Sequence, residues 1–365
     1  MREQGFELTP IFEELLSGIG RSSEALSLET HADWFGQLVR GEALDGVMRR
    51  LEPDLVLMLS LFCAEALAIQ CRYRLPVVLM TAFCRPAAYP RADLVERLVI
   101  DRLMRLNASD IEATLELATA AGHRFRSFKD LAALVLRMPE LVIMPRAVEL
   151  PELAGDPNVA YAGTGVDLYR REEPFPWSEI AAGRYLVYCS LGSQCEHRPE
   201  VARRFFHAVL GAAAAHREWQ VILTVGRGFD PAELGPPPAN VHLGRWVPQL
   251  DVLGRADLMV THGGTGTVKE CILLGVPMVV LPLMRDQFDM AERVAFHRLG
   301  LTGRLAEITA ETLGALIAAA AADGGLKERV AAMGERFREE DRSTAGIDVI
   351  EAALARAAPL AAGNG

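Results

Sequence analysis

The residues able to do chemistry are concentrated between positions 246 and 287. Trp246-Val247-Pro248-Gln249 comes first, followed by Thr261-His262-Gly263-Gly264-Thr265-Gly266-Thr267-Val268-Lys269-Glu270, then Gly275-Val276-Pro277, Pro282 and Asp286-Gln287. A glycine-rich turn that carries a strand into a helix, expected here at about 268–274, presents unpaired backbone N–H groups and the positive end of the helix dipole. Such a turn is a cradle for phosphate. Its glycines allow close backbone approach, Thr265 and Thr267 add hydroxyl donors, and a neutral His262 can donate a ring N–H to a diphosphate oxygen.

The residues around the turn point beyond bare phosphate. Glu270, expected on the first turn of the helix, can accept hydrogen bonds from vicinal hydroxyls such as a ribose diol. Trp246 offers a flat apolar face suited to a nucleobase, a role given to it by its place in the motif, since alone it reads as a core tryptophan. Asp286 and Gln287 bring acceptors and donors to one point, which suits sugar hydroxyls, although alone Asp286 would be a turn former. Such groups meet at the carboxyl ends of parallel strands, where open α/β sheets bind their ligands.

The chain has the elements such a site needs. Short apolar runs alternate with longer amphipathic stretches, the pattern of βαβ units in a parallel sheet, and the pattern occurs twice. In the first half, strands are expected at 55–58, 77–80, 141–144 and 159–163, with helices at 62–74, 91–106 and 111–121 and a capping turn at 107–110. A charged, proline-interrupted stretch, Glu172-Glu173-Pro174-Phe175-Pro176-Trp177, marks a linker. The second half restarts with strands at 185–190, 220–225, 257–261 and 279–281 and a helix at 199–216. The resulting division is a first domain over 1–165, a linker over 166–183, a second domain over 184–345, and a C-terminal helix and tail over 346–365.

Composition sets the outer bounds. A chain of 365 residues, half of it apolar, is long enough for two cores. A net charge of −10 argues against a broad nucleic-acid surface, so an anionic ligand must be held locally. The six cysteines lack paired short spacings and read as reduced buried thiols; Cys189, Cys195 and His197 fall near one another but fit no common zinc pattern, so no metal is expected. The start, MREQGFELTP, is not a secretory signal, and the longest apolar run, 55–64, is about half a bilayer span. A cytoplasmic protein with no transmembrane segment is the expectation.

The order and spacing of these motifs resemble the donor-binding signature of family 1 glycosyltransferases, the UDP-glycosyltransferase and macrolide-glycosyltransferase superfamily. The resemblance is strongest over 185–301, where Ser190-Leu191-Gly192-Ser193 is similar to the family's first phosphate-contacting loop of the second domain. It implies an α/β chain of the GT-B fold: two Rossmann-like doubly wound domains facing each other across a cleft, here with the N-terminal domain incomplete. It further implies that Trp246 stacks on the base and that Gln249 lies beside the nucleoside. Ser193, His262, Gly264, Thr265, Gly266 and Thr267 would hold the diphosphate, Glu270 the ribose, and Asp286 with Gln287 the transferred sugar.

The implied reaction is an inverting, metal-independent transfer, with no cofactor, of a hexose from a UDP- or TDP-sugar to a hydroxyl of a small lipophilic acceptor. Phe62, Phe83 and Phe128 are available to an apolar acceptor pocket. Members of the family carry their catalytic base on a Gly-His loop that precedes a segment similar to Gly5-Phe6-Glu7-Leu8-Thr9-Pro10, and no residue of this chain matches it. The carboxylate that orients that base would fall near Leu59 or Ser60, neither of them acidic. His31 and His123 lie off the motif, and Asp54 reads as a surface turn residue, so no catalytic base is assigned. The expectation is a chain that starts downstream of a central first strand, with apolar sheet edges left exposed. A catalytically silent nucleotide-sugar-binding protein or subunit is the alternative, and a sugar-nucleotide epimerase a weaker third.

Overall fold

The computed structural model describes residues 44–87, 91–103, 108–124 and 128–361. The segment 5–10, His31 and Asn107 lie outside them. Two parallel sheets organise the chain. The first is built from β1 (Val56–Leu59), β2 (Val77–Thr81), β3 (Glu140–Val142) and β4 (Val159–Tyr161), adjacent in that order. Its helices are α1 (Asp45–Leu51), α2 (Cys63–Tyr73), α3 (Arg91–Leu103), α4 (Ala108–Ala120) and α5 (Phe128–Leu136). Along α2 almost every side chain is buried, because Ala64, Ala66, Ala68 and Cys71 are small enough for neighbouring elements to close on all sides. Among the described residues β1 and β4 are the edge strands, and Leu57 and Leu59 on β1 are exposed.

The second sheet contains β5 (Tyr185–Ser190), β6 (Trp219–Thr224), β7 (Val241–Gly244), β8 (Leu258–Thr261), β9 (Met278–Val280) and β10 (Gly300–Thr302). Its order is β10-β9-β8-β5-β6-β7, parallel throughout. The strands β6 and β8 are buried over their whole length, as their largely apolar sequences require of a sheet covered on both faces. The covering helices are α6 (Pro199–Ala215), α7 (Gln249–Leu253), α8 (Thr265–Leu274), α9 (Gln287–Phe296), α10 (Ala310–Ala322) and α11 (Leu326–Glu340). Proline at the start of α6 and a Thr309–Thr312 capping box at the start of α10 satisfy or remove N–H groups at those ends. No helix among the described residues is long and apolar enough to cross a membrane. All six cysteines are free and buried.

The last helix, α12 (Ala345–Ala361), returns to the first sheet, where Ala353 is buried with Val78 and Leu141. One buried ion pair and several hydrogen bonds involving charged side chains join the domains. Arg293 on α9 places its guanidinium on Glu149, with Nε 2.9 Å from Oε1, and donates from Nη2 to the Arg85 carbonyl at 2.9 Å. Lys269 donates to the carbonyls of Ile143 and Thr164, and Asp341 accepts from the Thr164 N–H at 2.6 Å and its hydroxyl at 2.8 Å. A charge buried without its partner costs several kcal/mol, so these contacts fix how the domains are set against each other.

The expected strands and helices fall within a few residues of the observed ones, with one difference that matters for chemistry. Helix α8 begins at Thr265 rather than about 268, because Gly264 serves as its N-cap. Glu270 is therefore on the second turn, not the first.

Candidate functional site

The strand order of the second sheet fixes where a ligand can sit. Strand β5 is flanked by β6 on one side and β8 on the other, so the connections leaving β5 and β8 diverge and open a crevice at their carboxyl ends. A cavity of about 530 Å³ occupies it, within the range of small-ligand sites. Its lining comes from the turns after β5, β6, β7 and β8 and includes Gly192, Arg227, Trp246, Gln249, His262 and residues 264–267.

The floor is the start of α8. Gly264 has no side chain with which to cap the helix, so the N–H groups of Thr265, Gly266 and Thr267 are left for a ligand. His262 stands beside them, walled by glycines. A Cβ on Gly264 would lie 2.6 Å from the His262 Nε2, and one on Gly192 would lie 2.6 Å from Cε1. Gly192 also has φ +67, so both space and backbone demand glycine there. Burial holds the His262 imidazole down to a pKa of about 4, which keeps it neutral near pH 7. The Thr261 hydroxyl accepts from the Gly263 N–H at 3.2 Å and lies 3.4 Å from Nδ1.

The walls differ in character. Trp246, between β7 and α7, is 63% exposed, with the Arg227 guanidinium 5.1 Å from its ring centroid. Gln249, the first residue of α7, donates to Glu270 Oε2 at 2.5 Å and to the Thr267 hydroxyl at 3.3 Å. Glu270 is thus one layer behind the cavity surface. Lys269, also in the motif, points the other way into the domain junction, where burial lowers its pKa.

Seven of the sequence-nominated residues line the cavity: Trp246, Gln249, His262, Gly264, Thr265, Gly266 and Thr267. Ser193 opens the short 3-10 turn Ser193–His197 directly after Gly192. Asp286 does not line the cavity but accepts from the Thr265 hydroxyl at 3.1 Å. Gln287 is buried, and its amide oxygen accepts from the N–H groups of Leu283 and Met284, both at 2.9 Å, so it shapes the loop before α9. In the first domain, Asp54 is exposed, Phe62 packs against the core, and Phe83 lines a cavity of only about 10 Å³.

Sequence reasoning missed Arg227 and Arg170. Arg170, in the segment crossing between the sheets, places Nη1 2.5 Å from Glu270 Oε1. Neither arginine belongs to a motif; only proximity in three dimensions reveals them.

Comparison with known proteins agrees with this geometry. Residues 168–342 match the family model described as "UDP-glucoronosyl and UDP-glucosyl transferase". An oleandomycin glycosyltransferase of Streptomyces antibioticus is 33% identical over 216 residues, covering 59% of this chain and 49% of the relative. An NDP-glycosyltransferase of Bacillus subtilis is 31% identical over 226 residues, covering 61% of this chain and 56% of the relative. The chain thus spans about half the length of the curated relatives it matches. The solved structure of the glycotransferase of kitacinnamycin superposes with a TM-score of 0.69 at 25% identity, covering 90% of this chain and 82% of that one. With the two-sheet architecture shared, the chain has the GT-B fold, and its second domain is the part that is similar to the UDP-glycosyltransferase family.

Proposed function

We propose that the second domain binds a UDP- or TDP-sugar and that the protein transfers the hexose, with inversion, to a hydroxyl of a small lipophilic acceptor. The observation that carries this reading is the open start of α8 beside a neutral, glycine-walled His262. In the reaction, the acceptor oxygen forms a bond to the anomeric carbon as the bond from that carbon to the diphosphate breaks. The acceptor hydroxyl gives its proton to water, and the nucleoside diphosphate leaves with the electron pair of the broken bond and the negative charge. Backbone N–H groups aimed at that oxygen stabilise the charge without reorganising, and the His262 N–H adds one more donor. This reading needs no metal for the leaving group. Trp246 and Gln249 form the nucleoside wall, Glu270 behind Gln249 serves the ribose, and Asp286, tied to Thr265, lies on the side of the transferred sugar.

The test is calorimetric titration of UDP into wild type and His262→Ala. Loss of one hydrogen bond to a charged group predicts a Kd about 10–100-fold higher in the variant. Wild type that fails to bind UDP or TDP removes the proposal. A second assay supplies UDP-glucose with lipophilic alcohols and follows glycoside and its anomeric configuration. Donor binding with no glycoside formed would favour the silent binding protein, and epimerised donor without acceptor would end the transferase reading.

A further inference from the structure

Lys269 stands on α8 about one turn beyond Thr265, the residue that opens the helix at the cavity. Its side chain is 7% exposed and reaches away from the cavity into the first domain, where Nζ donates to the carbonyl of Ile143 at 3.1 Å and to that of Thr164 at 2.5 Å. Ile143 follows β3 directly and Thr164 lies shortly past β4, so one ammonium holds the carboxyl ends of two adjacent strands. Ile143 is bound onward as well, its N–H donating at 2.8 Å to the Thr81 carbonyl at the end of β2. All three polar groups of Thr164 bond to the second domain: its N–H and hydroxyl donate to Asp341 at 2.6 and 2.8 Å, and its carbonyl accepts from Lys269. The approach leaves no room for a side chain beside it, since Gly163 has φ +72 and a Cβ there would run into the Asp341 carboxylate.

Stability alone does not account for an ammonium at this place. Its hydrogen-bond partners are carbonyls, and its burial carries a desolvation cost that lowers its pKa. A methionine would fill a similar volume without that cost. What the ammonium supplies is direction: an apolar side chain can slide along the strand ends, whereas an amine bonded to two carbonyls cannot move without breaking those bonds. Glu340, Asp341 and Arg293 also reach the first domain, from the end of α11 and from α9. Among the described residues, Lys269 is the one that hydrogen-bonds there from α8, the helix carrying the open N–H groups. One turn of helix is stiff, so a ligand that fixes the first N–H groups of α8 also fixes the origin of this side chain.

We propose that Lys269 is a positioning residue that couples the two domains through α8: a nucleoside diphosphate seated on the start of the helix steadies the carboxyl ends of β3 and β4 in the first domain. The inference rests on the reading of the cavity as a nucleoside diphosphate site. The experiment follows amide hydrogen exchange of the full chain with and without UDP in wild type, Lys269→Met and Lys269→Arg, with UDP at about 100 times the Kd of each protein. At that ratio UDP slows an opening fully linked to the site by about 100-fold, which sets the ceiling. In wild type, exchange slows at residues 264–267 and also, by about fivefold or more, at the amides of Ile143, Ala162 and Thr164. In Lys269→Met the amides of 264–267 stay protected while those three change by less than about twofold, and Lys269→Arg, which keeps donors for both carbonyls, restores most of the difference. Should Lys269→Met not fold, Lys269→Gln, whose shorter side chain cannot reach both carbonyls, takes its place in the same comparison. Undiminished protection of the first-domain amides in the variant overturns the inference, as does a wild type whose residues 264–267 are protected while Ile143, Ala162 and Thr164 are not. Faster exchange of the variant without UDP, with the UDP-induced ratio unchanged, marks a merely structural role and overturns it equally. A wild type in which UDP slows exchange nowhere would instead sink the reading of the site on which the inference stands.

Discussion

Both sheets of this protein carry polar groups against their strands, yet only the second opens them onto a cavity large enough for a ligand. In the first domain Arg91 donates from Nε to Glu140 at 2.5 Å and from Nη1 and Nη2 to the carbonyls of Leu136 and Met138, both at 3.0 Å. The Thr81 hydroxyl donates to the other Glu140 oxygen at 2.5 Å and lies 2.6 Å from the Ser60 hydroxyl. The donors of Arg91 and Thr81 are spent internally, although Nη2 of the neighbouring buried Arg85 meets no hydrogen-bond partner, and the adjoining cavity of about 10 Å³ has room for roughly one water. In the second domain the turn after β8 withholds side-chain caps, and its glycines leave N–H groups facing a cavity of about 530 Å³. A polar cluster that satisfies itself specifies a core; one that stops short specifies a ligand.

The largest effect that could break this contrast is on stability. Arg91→Met leaves the Glu140 carboxylate buried without its cation, with both side chains only 4% exposed in the wild type. The expected cost is about 3–5 kcal/mol in denaturant unfolding, while UDP affinity of the folded protein stays within twofold. A variant that unfolds no more easily than wild type, or one that loses UDP binding while still folded, would mean the two polar regions do not divide the work as their hydrogen bonding indicates.

A second prediction concerns pH. His262 has a folded pKa of about 4, held below its ordinary value of 6.5 by burial. As pH falls the unfolded chain takes up that proton first, so the associated stability is fully present above about 6.5 and is lost as pH drops towards 4. The shift corresponds to roughly 3 kcal/mol. Comparing unfolding free energies of wild type and His262→Gln between pH 7 and pH 4 isolates this contribution from that of the carboxylates. The wild type should lose the larger amount; parallel curves would show that the imidazole is not held neutral by its glycine enclosure.

Much of this was legible in the sequence, for identifiable reasons. The strands β5, β6 and β8 are short, mainly apolar runs, the form a parallel strand buried on both faces takes. The turn of residues 262–267 was legible because glycines that are costly elsewhere are needed where backbone meets anion. What stayed hidden lacked a local pattern. The helix α8 starts at Thr265 because Gly264 adopts the N-cap position, and glycine and threonine give no periodicity from which to read that boundary. Arg170 meets Glu270 across 100 residues of chain, and Arg293 reaches Glu149 across 144. Pairings of that range come from the packing of the domains, not from spacing. Gln287 was read as a group for sugar hydroxyls, but its amide oxygen is already committed to the backbone of Leu283 and Met284.

The smallest expected effect sharpens the contrast at the rim of the open site. Trp246 is 63% exposed at the cavity, with the Arg227 guanidinium 5.1 Å from its ring centroid. Base–aromatic stacking is worth about 1–3 kcal/mol, and here a base must restack against or displace Arg227, which places Trp246→Ala near the low end, about fivefold in UDP Kd. Trp246→Phe should recover most of the loss, and neither change should alter thermal stability by much, because an exposed ring contributes little to the core. Arg227→Ala separates two geometries. If the base takes the face that Arg227 covers, removing the arginine tightens UDP binding in the wild type and does nothing in Trp246→Ala. If the base takes the opposite face, Arg227→Ala weakens binding by unseating the ring. A Trp246→Ala protein that binds UDP as tightly as wild type would move the nucleoside away from this wall altogether, leaving the open N–H groups of α8 as a phosphate site alone.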